Sequence, residues 1–268
     1  MSDQYKICRE FLKATGYYID LPFDMTRPCD MVDYPGAYKG YPQARTFDLP
    51  KKDYSQRLTP VGKVFSHRRS LRNFLEAPVS MDDLGFLLWA TQGITAAIGE
   101  HGLRAAPSAG ALYPIETYLV IRAVETLPQG IFHFNVKKFS LELLKEGSSH
   151  IDDLFQATFG QEMVRLAAVN FVWSAIIQRS AFKYYERAYR YIYEDAGHIS
   201  ENLQLACAAL DNIGCTANGA FYDDLAASLF DLDITTEPVL LMASVGTVSG
   251  VSFMEDMRDY FEKMKGAT

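Results

Sequence analysis

Cysteine is scarce in this chain of 268 residues, which holds only four. Cys8, Cys29, Cys207 and Cys215 are too few and too scattered to form a disulfide framework. The five histidines never pair at ligand spacing, and none stands at such a spacing from the last two cysteines, so no metal site is predicted. Reduced, buried thiols are expected at Cys207 and Cys215.

The sequence also lacks a long hydrophobic run and an excess of positive charge. Its longest uncharged stretches, 85–99 and 238–254, are interrupted by Thr, Gln, Ser and Gly, so neither is predicted to span a bilayer. Residues 1–18 carry five charged side chains and no uninterrupted apolar core, which excludes a signal peptide. Lys and Arg number 26 against 33 Asp and Glu, and the net charge of −7 argues against a basic nucleic-acid surface. A reducing, cytoplasmic setting is expected.

Three common nucleotide-binding and hydrolase motifs are absent as well. No Gly-x-Gly-x-x-Gly stands between a predicted strand and a predicted helix, and no Gly-x-x-x-x-Gly-Lys-Ser/Thr occurs. The nucleophile elbow Gly-x-Ser-x-Gly is missing too. The sequence therefore gives no indication of a dinucleotide-binding fold, a P-loop or a hydrolase elbow.

Apolar residues are plentiful enough for a folded body, which a proline-rich arm precedes. Hydrophobic residues make up 49% of the chain, so a core forms without a metal or a disulfide. Residues 1–18 are predicted to form a short amphipathic helix, and residues 19–60 hold six prolines, typical of an irregular extended arm. We expect residues 1–60 to pack on the body, formed by residues 61–268, or on a partner subunit.

The body mixes helices and strands without a regular βαβ alternation. Ser80 to Asp83 fits a capping box at the start of a helix. Apolar runs predict strands at 115–121, 169–177 and 237–245, and a hairpin is predicted to join 130–136 to 139–144. This order predicts an α+β fold in which helices flank a mainly antiparallel central sheet.

The longest periodic segment predicts a long helix. Apolar residues recur every three or four positions from Ala188 to Ile213, and Gly214 is expected to end the helix as a C-cap. A helix of about 28 residues is roughly 40 Å long. Because its apolar surface exceeds what one sheet contact needs, we expect it to serve as the core helix and as part of a dimer interface.

Three segments carry residues suited to ligand binding. His67 to Arg72 concentrates three guanidinium groups and a hydroxyl, which suit phosphate oxygens, although such a charge run is also typical of a solvated face. Arg104 to Glu116 and Gly214 to Phe221 hold small residues that let a flat ring approach the backbone. Either of these two segments is equally typical of an ordinary turn.

A fourth segment, Lys183 to Tyr191, is dense in Tyr, Lys and Arg at the start of the long helix. Lys183 and Tyr184 can exchange protons with a substrate where burial and neighbouring charge tune them. An aromatic interface patch, in which arginine side chains lie along tyrosine rings, accounts for the same pattern. His198, inside the long helix, is expected to be a hydrogen-bonded interface residue.

Taken together and in this order, these segments resemble the nitroreductase superfamily of flavin enzymes. Arg68 to Phe74 is similar to its opening Arg-Arg-Ser-x-Arg-x-Phe, and Pro107 to Gly110 is similar to its Pro-Ser segment. The loop from Ala217 to Phe221 and the pair Gly246-Thr247 stand where the family places backbone near flavin N5 and a second phosphate contact. The resemblance covers roughly residues 60–250.

The resemblance implies an FMN site made by two subunits. It assigns the FMN phosphate, the ribityl chain and the pyrimidine end of the ring to the Arg-rich segment, and it brings the Pro-Ser segment from the other subunit. The residues implied to bind FMN are Arg68, Arg69, Ser70, Arg72, Pro107, Ser108, Ala109, Gly110, Asn218, Gly219, Ala220, Gly246 and Thr247.

One branch of the superfamily matches better, the azoline dehydrogenases of thiazole and oxazole peptide biosynthesis. Leu88 to Ile94, Ser108 to Glu116 and Arg187 to Tyr191 resemble this branch. The branch uses a Lys-Tyr pair in catalysis, and Lys183 and Tyr184 stand at the matching place. The resemblance therefore implies that these two residues are catalytic.

The implied activity is that of a homodimeric FMN-dependent oxidoreductase, which transfers hydride through flavin N5 in a ping-pong cycle. NAD(P)H or another electron donor, and a small molecule or modified peptide as substrate, are the expected partners, with neither nucleic acid nor membrane among them. The alternative is a protein that binds or sequesters FMN without redox turnover. The two differ in whether NADH or NADPH bleaches the flavin and an acceptor restores it.

Overall fold

The computed structural model describes residues 6–17, 34–99, 101–249 and 264, and within them the chain forms helices α1 to α8 and strands β1 to β9. Cys29 and residues 18–33 of the predicted arm lie outside the described residues. The elements are α1 Lys6–Ala14, β1 Arg45–Asp48, α2 Val61–His67, α3 Met81–Gln92, β2 Ile94–Ile98, β3 His101–Arg104, β4 Ile115–Ile121, β5 Gly130–Asn135, β6 Ser140–Glu146, α4 Ser149–Ala157, α5 Glu162–Leu166, β7 Val169–Ala175, α6 Gln178–Tyr184, α7 Ala188–Ala208, β8 Ile213–Asn218, α8 Asp223–Leu229 and β9 Val239–Thr247. No helix among the described residues is both long and apolar enough to cross a bilayer.

Seven strands form one sheet in the order β1-β6-β5-β4-β7-β9-β8, and every neighbouring pair is antiparallel. The remaining two strands, β2 and β3, form a separate hairpin. Short connections between successive strands favour antiparallel pairing, as in the β5–β6 hairpin. The predicted α+β fold with a mainly antiparallel central sheet and flanking helices is confirmed.

Alternation of side chains along the strands gives the sheet two buried faces. Leu119 and Phe171 point to one face, where they pack with α3 and α7. Their neighbours Tyr118 and Val172 point to the other, where they pack with α4, α5 and α8. Because both faces are covered, the central strands are apolar almost throughout, and β8 is left as an edge strand that carries part of the site.

The capping box predicted at Ser80 forms as expected. Ser80 Oγ accepts a hydrogen bond of 3.0 Å from the Asp83 amide and donates one of 2.7 Å to the Asp83 carboxylate. The first of these bonds satisfies one free amide group at the first turn of α3. The helix then buries Leu84, Leu87 and Leu88 completely.

The long helix is present, but its predicted end was wrong. α7 has 21 residues and ends at Ala208, and Gly214 lies in β8 opposite Gly246 instead of capping the helix. A Cβ atom on Gly214 would lie 2.6 Å from Val248 Cγ1 and 3.0 Å from Leu71 Cβ. The glycine is therefore needed for close packing of the strand rather than for a helix end.

A buried ionic chain crosses the sheet at one end. Arg179 Nη1 donates to Glu116 at 2.6 Å, and the other oxygen of Glu116 lies 2.8 Å from His133 Nε2. His133 Nδ1 lies 3.0 Å from Glu142, so both ring nitrogens face carboxylates and both must donate. Burial alone would raise the pKa of Glu116, but the His133 hydrogen bond and the Arg179 charge hold it at about 2. Burial alone would lower the pKa of His133, but the hydrogen bonds to Glu116 and Glu142 outweigh burial, so the pKa of His133 is raised.

This arrangement predicts how stability varies with pH. The folded-state pKa of His133 lies above its ordinary value of 6.5, so its contribution is fully present below that pH and is lost as pH rises through the folded pKa. His133→Leu is expected to lower the free energy of unfolding by about 3–5 kcal/mol near neutral pH. Urea unfolding over a pH series measures both effects.

His150→Leu is the matched control, because His150 is a partly exposed histidine whose nearest carboxylate, Asp153, is itself exposed. We expect its pH dependence to follow the wild type. Equal losses of stability with rising pH in the wild type and in His133→Leu would contradict the account of the buried imidazolium.

Candidate active site

Two predicted motifs that are far apart in the sequence meet at the end of α6, just before α7. A Cβ atom on Gly110 would lie 2.6 Å from Tyr184 Oη and 3.0 Å from Lys183 Nζ, so the backbone of Gly110 is in contact with both side chains. Lys183 Nζ lies 5.2 Å from the centroid of the Tyr184 ring. Lys183 is exposed and Tyr184 is half-buried, so the pair borders solvent in the single chain.

The backbone around this contact is strained. Gly110, Ala111 and Tyr113 have φ values of 63°, 55° and 48°, and Tyr185, directly after the Lys-Tyr pair, has φ of 50°. Residues other than glycine rarely adopt such values, and they persist only where the surroundings hold them. Strain of this kind clusters at ligand-binding and catalytic sites.

Two buried charged side chains hold the strained loop, and sequence patterns did not single out either one. Asp195 of α7 accepts hydrogen bonds from Ser108 Oγ at 2.5 Å and from the Ala109 amide at 3.2 Å. Arg179 of α6 donates to the Tyr113 carbonyl at 3.1 Å. The only sequence signal for Asp195 was an acidic residue beside the apolar stripe of the long helix.

The Arg-rich segment follows α2 and runs beside the edge strand β8, where the Leu71 amide donates to the Cys215 carbonyl at 2.9 Å. Ser70 and Arg72 line one cavity of about 560 Å³, together with Asn73 and Ser249. The residues of the Arg-rich segment therefore do not all lie at this cavity, although their even spacing predicted that Arg68, Ser70 and Arg72 would share one side.

The first two arginines of the segment lie apart from that cavity. Arg68 donates to the Gln204 side chain of α7 at 3.1 Å. Arg69 lines a smaller cavity of about 170 Å³ with Lys63 and His67. Ser70 and Arg72 are therefore the two predicted phosphate ligands that the chain brings to one cavity.

The predicted second phosphate contact lies against the same segment. The Leu75 amide donates to the Thr247 carbonyl at 2.9 Å, and Thr247 Oγ1 donates to the Ala77 carbonyl at 3.0 Å. A Cβ atom on Gly246 would lie 2.9 Å from the Phe74 ring. The chain thus brings the Arg-rich segment and the Gly246-Thr247 pair together, as the motif order predicts.

The predicted loop near flavin N5 begins where β8 ends. Asn218 Oδ1 accepts hydrogen bonds from the Ala220 amide at 2.9 Å and from Gln161 Nε2 at 3.2 Å. The sequence predicts a loop from Gly214 to Phe221, but in the structure this segment is a strand as far as Asn218. Within the described residues, Asn218 Nδ2 is buried and makes no hydrogen bond, which leaves a donor without a partner at this loop.

The predicted site residues thus fall into two groups. The edge group lies on β8, on β9, on the loop after β8 and on the Arg-rich segment beside β8, and it comprises Arg68, Arg69, Ser70, Arg72, Asn218, Gly219, Ala220, Gly246 and Thr247. The loop group lies beyond the ends of β4 and β7 and comprises Pro107, Ser108, Ala109, Gly110, Lys183 and Tyr184. β4 and β8 are separated by β7 and β9, so the axes of these two strands lie about 14 Å apart across the sheet.

Comparison with known proteins finds both a matching family model and similar proteins. A family model described as the nitroreductase family matches residues 65–247. A protein of Methanocaldococcus jannaschii that is named as a nitroreductase is 31% identical over 180 residues, which cover 67% of this chain and 87% of that protein. The trifolitoxin-processing protein TfxB of Rhizobium leguminosarum bv. trifolii is 33% identical over 118 residues, which cover 42% of this chain and 32% of TfxB.

A solved structure agrees with these sequence matches. The structure named as a nitroreductase of Anabaena variabilis has a TM-score of 0.72 and 28% identity, and the match covers 89% of this chain and 46% of that chain. The chain therefore spans about a third of TfxB and less than half of the Anabaena protein.

A large antiparallel sheet under a long helix, with arginine and hydroxyl donors along its edge strand, defines the class as an α+β fold with a candidate anion site at the sheet edge. The match over residues 65–247 identifies it more closely, and the chain belongs to the nitroreductase family. The resemblance predicted from the motifs is confirmed, and the relation to TfxB agrees with the branch to which those motifs pointed.

Proposed function

We propose that the chain is an FMN-dependent oxidoreductase of the azoline dehydrogenase type, acting as a homodimer on a modified peptide. One observation carries the proposal. The loop that resembles the Pro-Ser segment touches, at Gly110, the pair that resembles the catalytic residues of this branch, Lys183 and Tyr184. The name of TfxB, a trifolitoxin-processing protein, favours the same branch.

The donors of the edge group fit FMN. Ser70 and Arg72 offer a hydroxyl and a guanidinium at one cavity, and Arg69 offers an exposed guanidinium at a separate, smaller one. Such charged forks and hydroxyls are the donors that phosphate oxygens accept. The orphaned amide of Asn218 adds a donor near the other end of β8. Bound FMN supplies a hydride acceptor, while the protein supplies orientation and charge.

The loop group is proposed to handle the proton. Oxidation of an azoline ring to an azole removes a hydride from one ring carbon and a proton from its neighbour. Lys183 and Tyr184 form the pair that receives this proton, since their polar ends meet at Gly110 on the solvent side. Tyr191 fixes the Tyr184 ring by an edge contact, with centroids 4.9 Å apart. A positioned acid–base pair of this kind contributes about 10²–10⁴ in rate.

A second copy of the chain is proposed to complete the site. The edge group and the loop group lie about three strands apart in one chain, so a ligand held by both draws one group from each subunit. Large apolar side chains stay exposed on the helices near these groups, among them Phe65 of α2 at 59% and Tyr193 of α7 at 56%. An interface that buries them would also remove Lys183 from bulk water. In this reaction the azoline itself reduces the flavin and oxygen reoxidises it, so NAD(P)H serves only as an alternative reductant.

Colour and bleaching test this proposal. The purified protein, supplied with FMN, is expected to be yellow and to lose its flavin absorbance when mixed without oxygen with a short synthetic peptide carrying one thiazoline. Oxygen should then restore the colour, with one thiazole formed per flavin reduced.

Two outcomes would contradict the proposal in different ways. A protein that stays colourless after supply with FMN would rule out the cofactor. Bound flavin that neither the peptide nor NADH or NADPH bleaches would rule out turnover and favour a protein that sequesters FMN.

A further inference from the structure

Two side chains in successive turns of α7 support the loop group from one side. Tyr191 packs against the ring of Tyr184. Asp195 lies four residues further along, on the same face of the helix, and is hydrogen-bonded to Ser108 and Ala109. One rigid helix therefore sets the position of the tyrosine relative to the loop.

The carboxylate of Asp195 accepts two hydrogen bonds from the loop. Ser108 Oγ donates to Oδ2 at 2.5 Å, and the Ala109 amide donates to Oδ1 at 3.2 Å. Ser108 Oγ in turn accepts from the Tyr113 amide at 2.9 Å, so the chain of bonds spans both ends of the strained segment. Charged acceptors form stronger hydrogen bonds than neutral ones, and strained backbone needs such support.

We infer that Asp195 is a positioning residue for the proposed reaction, because its carboxylate holds the loop so that Gly110 stays in contact with Tyr184. Asp195 is only 3% exposed and both of its carboxylate oxygens face the loop, so it is assigned a role through the loop rather than on the substrate. The inference rests on the proposed function and assigns a role to a residue that no motif marks. It predicts a loss of catalytic geometry, without a matching loss of stability, when the charge is removed.

The surroundings of Asp195 make that combination expected. Burial raises the pKa of the Asp195 carboxyl, and the charge of Glu194 adds to the increase. The hydrogen bonds from Ser108 and Ala109 and the charge of His198 lower this pKa, but burial outweighs them. A raised pKa means that the ionised form is disfavoured in the folded state. The neutral side chain of Asn at this position therefore removes the cost of burying a charge, while it weakens the hydrogen bonds that hold the loop.

The experiment compares Asp195→Asn, Ser108→Ala and the double variant with the wild type. Hydrogen exchange at the Ala109 amide is expected to be at least about tenfold faster in Asp195→Asn. The unfolding midpoint is expected to stay within about 3 °C of the wild type. The kcat for the thiazoline peptide is expected to fall at least about tenfold, with KM changed less than about twofold. The double variant should be close to the slower single variant, because both changes act on the same chain of hydrogen bonds from Asp195 through Ser108.

Asp152→Asn is the matched control, because it removes an exposed carboxylate that pairs with Arg165 far from the loop group. It should behave as the wild type does. An unchanged kcat in Asp195→Asn, additive losses in the double variant, or a midpoint that falls in step with kcat would each overturn the inference. Absence of bleaching by the wild type would contradict the proposed function instead. In that case the hydrogen-exchange rates, which need no substrate, still test whether Asp195 holds the loop.

Discussion

Lys183→Met is expected to bind FMN as the wild type does and to lose at least about a hundredfold in kcat with the thiazoline peptide. The reason is that the substitution keeps the length of the side chain but removes the amine that we propose receives the proton. Lys183 Nζ touches Gly110 and lies 5.2 Å from the Tyr184 ring centroid, so no other described lysine occupies this place. Stopped-flow absorbance of the flavin measures both the bound cofactor and the rate of its bleaching.

Lys51→Met serves as the control for this variant, because Lys51 is an exposed lysine outside both groups. It should leave kcat unchanged. Bleaching of the Lys183→Met flavin at the wild-type rate would show that the lysine has no part in proton removal.

Gly110→Ala is expected to reduce kcat by about 10²-fold while the cofactor still binds. The added Cβ atom would lie 2.6 Å from Tyr184 Oη and 3.0 Å from Lys183 Nζ, so the catalytic pair must move away from the loop. The φ of 63° adds backbone strain that any residue with a Cβ atom meets. The same flavin-bleaching assay gives kcat and KM.

Strain and displacement can be separated with Gly99→Ala. Gly99 has nearly the same φ, 59°, and a Cβ atom there would have no neighbour within 4 Å. Its kcat should match the wild type even if its stability falls. A Gly110→Ala enzyme that turns over normally would contradict the proposal that this contact sets the geometry of the Lys-Tyr pair.

Much of the fold is predictable because its central strands are buried on both faces. The apolar runs that form β4, β7 and β9 stand out in the sequence, and the α3 cap is a local pattern. β8 does not stand out, since its residues from Ile213 to Asn218 are mostly small or polar. It becomes a strand only by pairing with β9, through contacts such as Gly214 opposite Gly246. β8 forms because two segments distant in sequence pair, and local periodicity in the sequence cannot reveal such pairing.

The parts of the candidate site that lie on sequence motifs were predictable, and the parts that depend on tertiary contacts were not. The Arg-rich segment and Gly246-Thr247 were expected together and lie together. Arg68 was expected to face the same side as Arg72, but it is bonded to Gln204 of α7, which no local pattern specifies. Asp195 was missed because a buried carboxylate on a helix is recognisable only once its hydrogen-bond donors are known.

The central claim, that two copies of the chain share each active site, can be tested by mixing two inactive variants. Arg72→Glu disables the edge group and Lys183→Met disables the loop group, so neither homodimer should turn over the thiazoline peptide. Each mixed dimer carries one site in which both groups are intact.

Co-expression with two different affinity tags allows the mixed dimers to be isolated and their composition checked. A random mixture of the two variants should recover about a quarter of the wild-type kcat per chain, since half of the dimers are mixed and half of their sites are intact. Purified mixed dimers with no more activity than either parent would contradict the account, because they would place both groups of each site in a single chain.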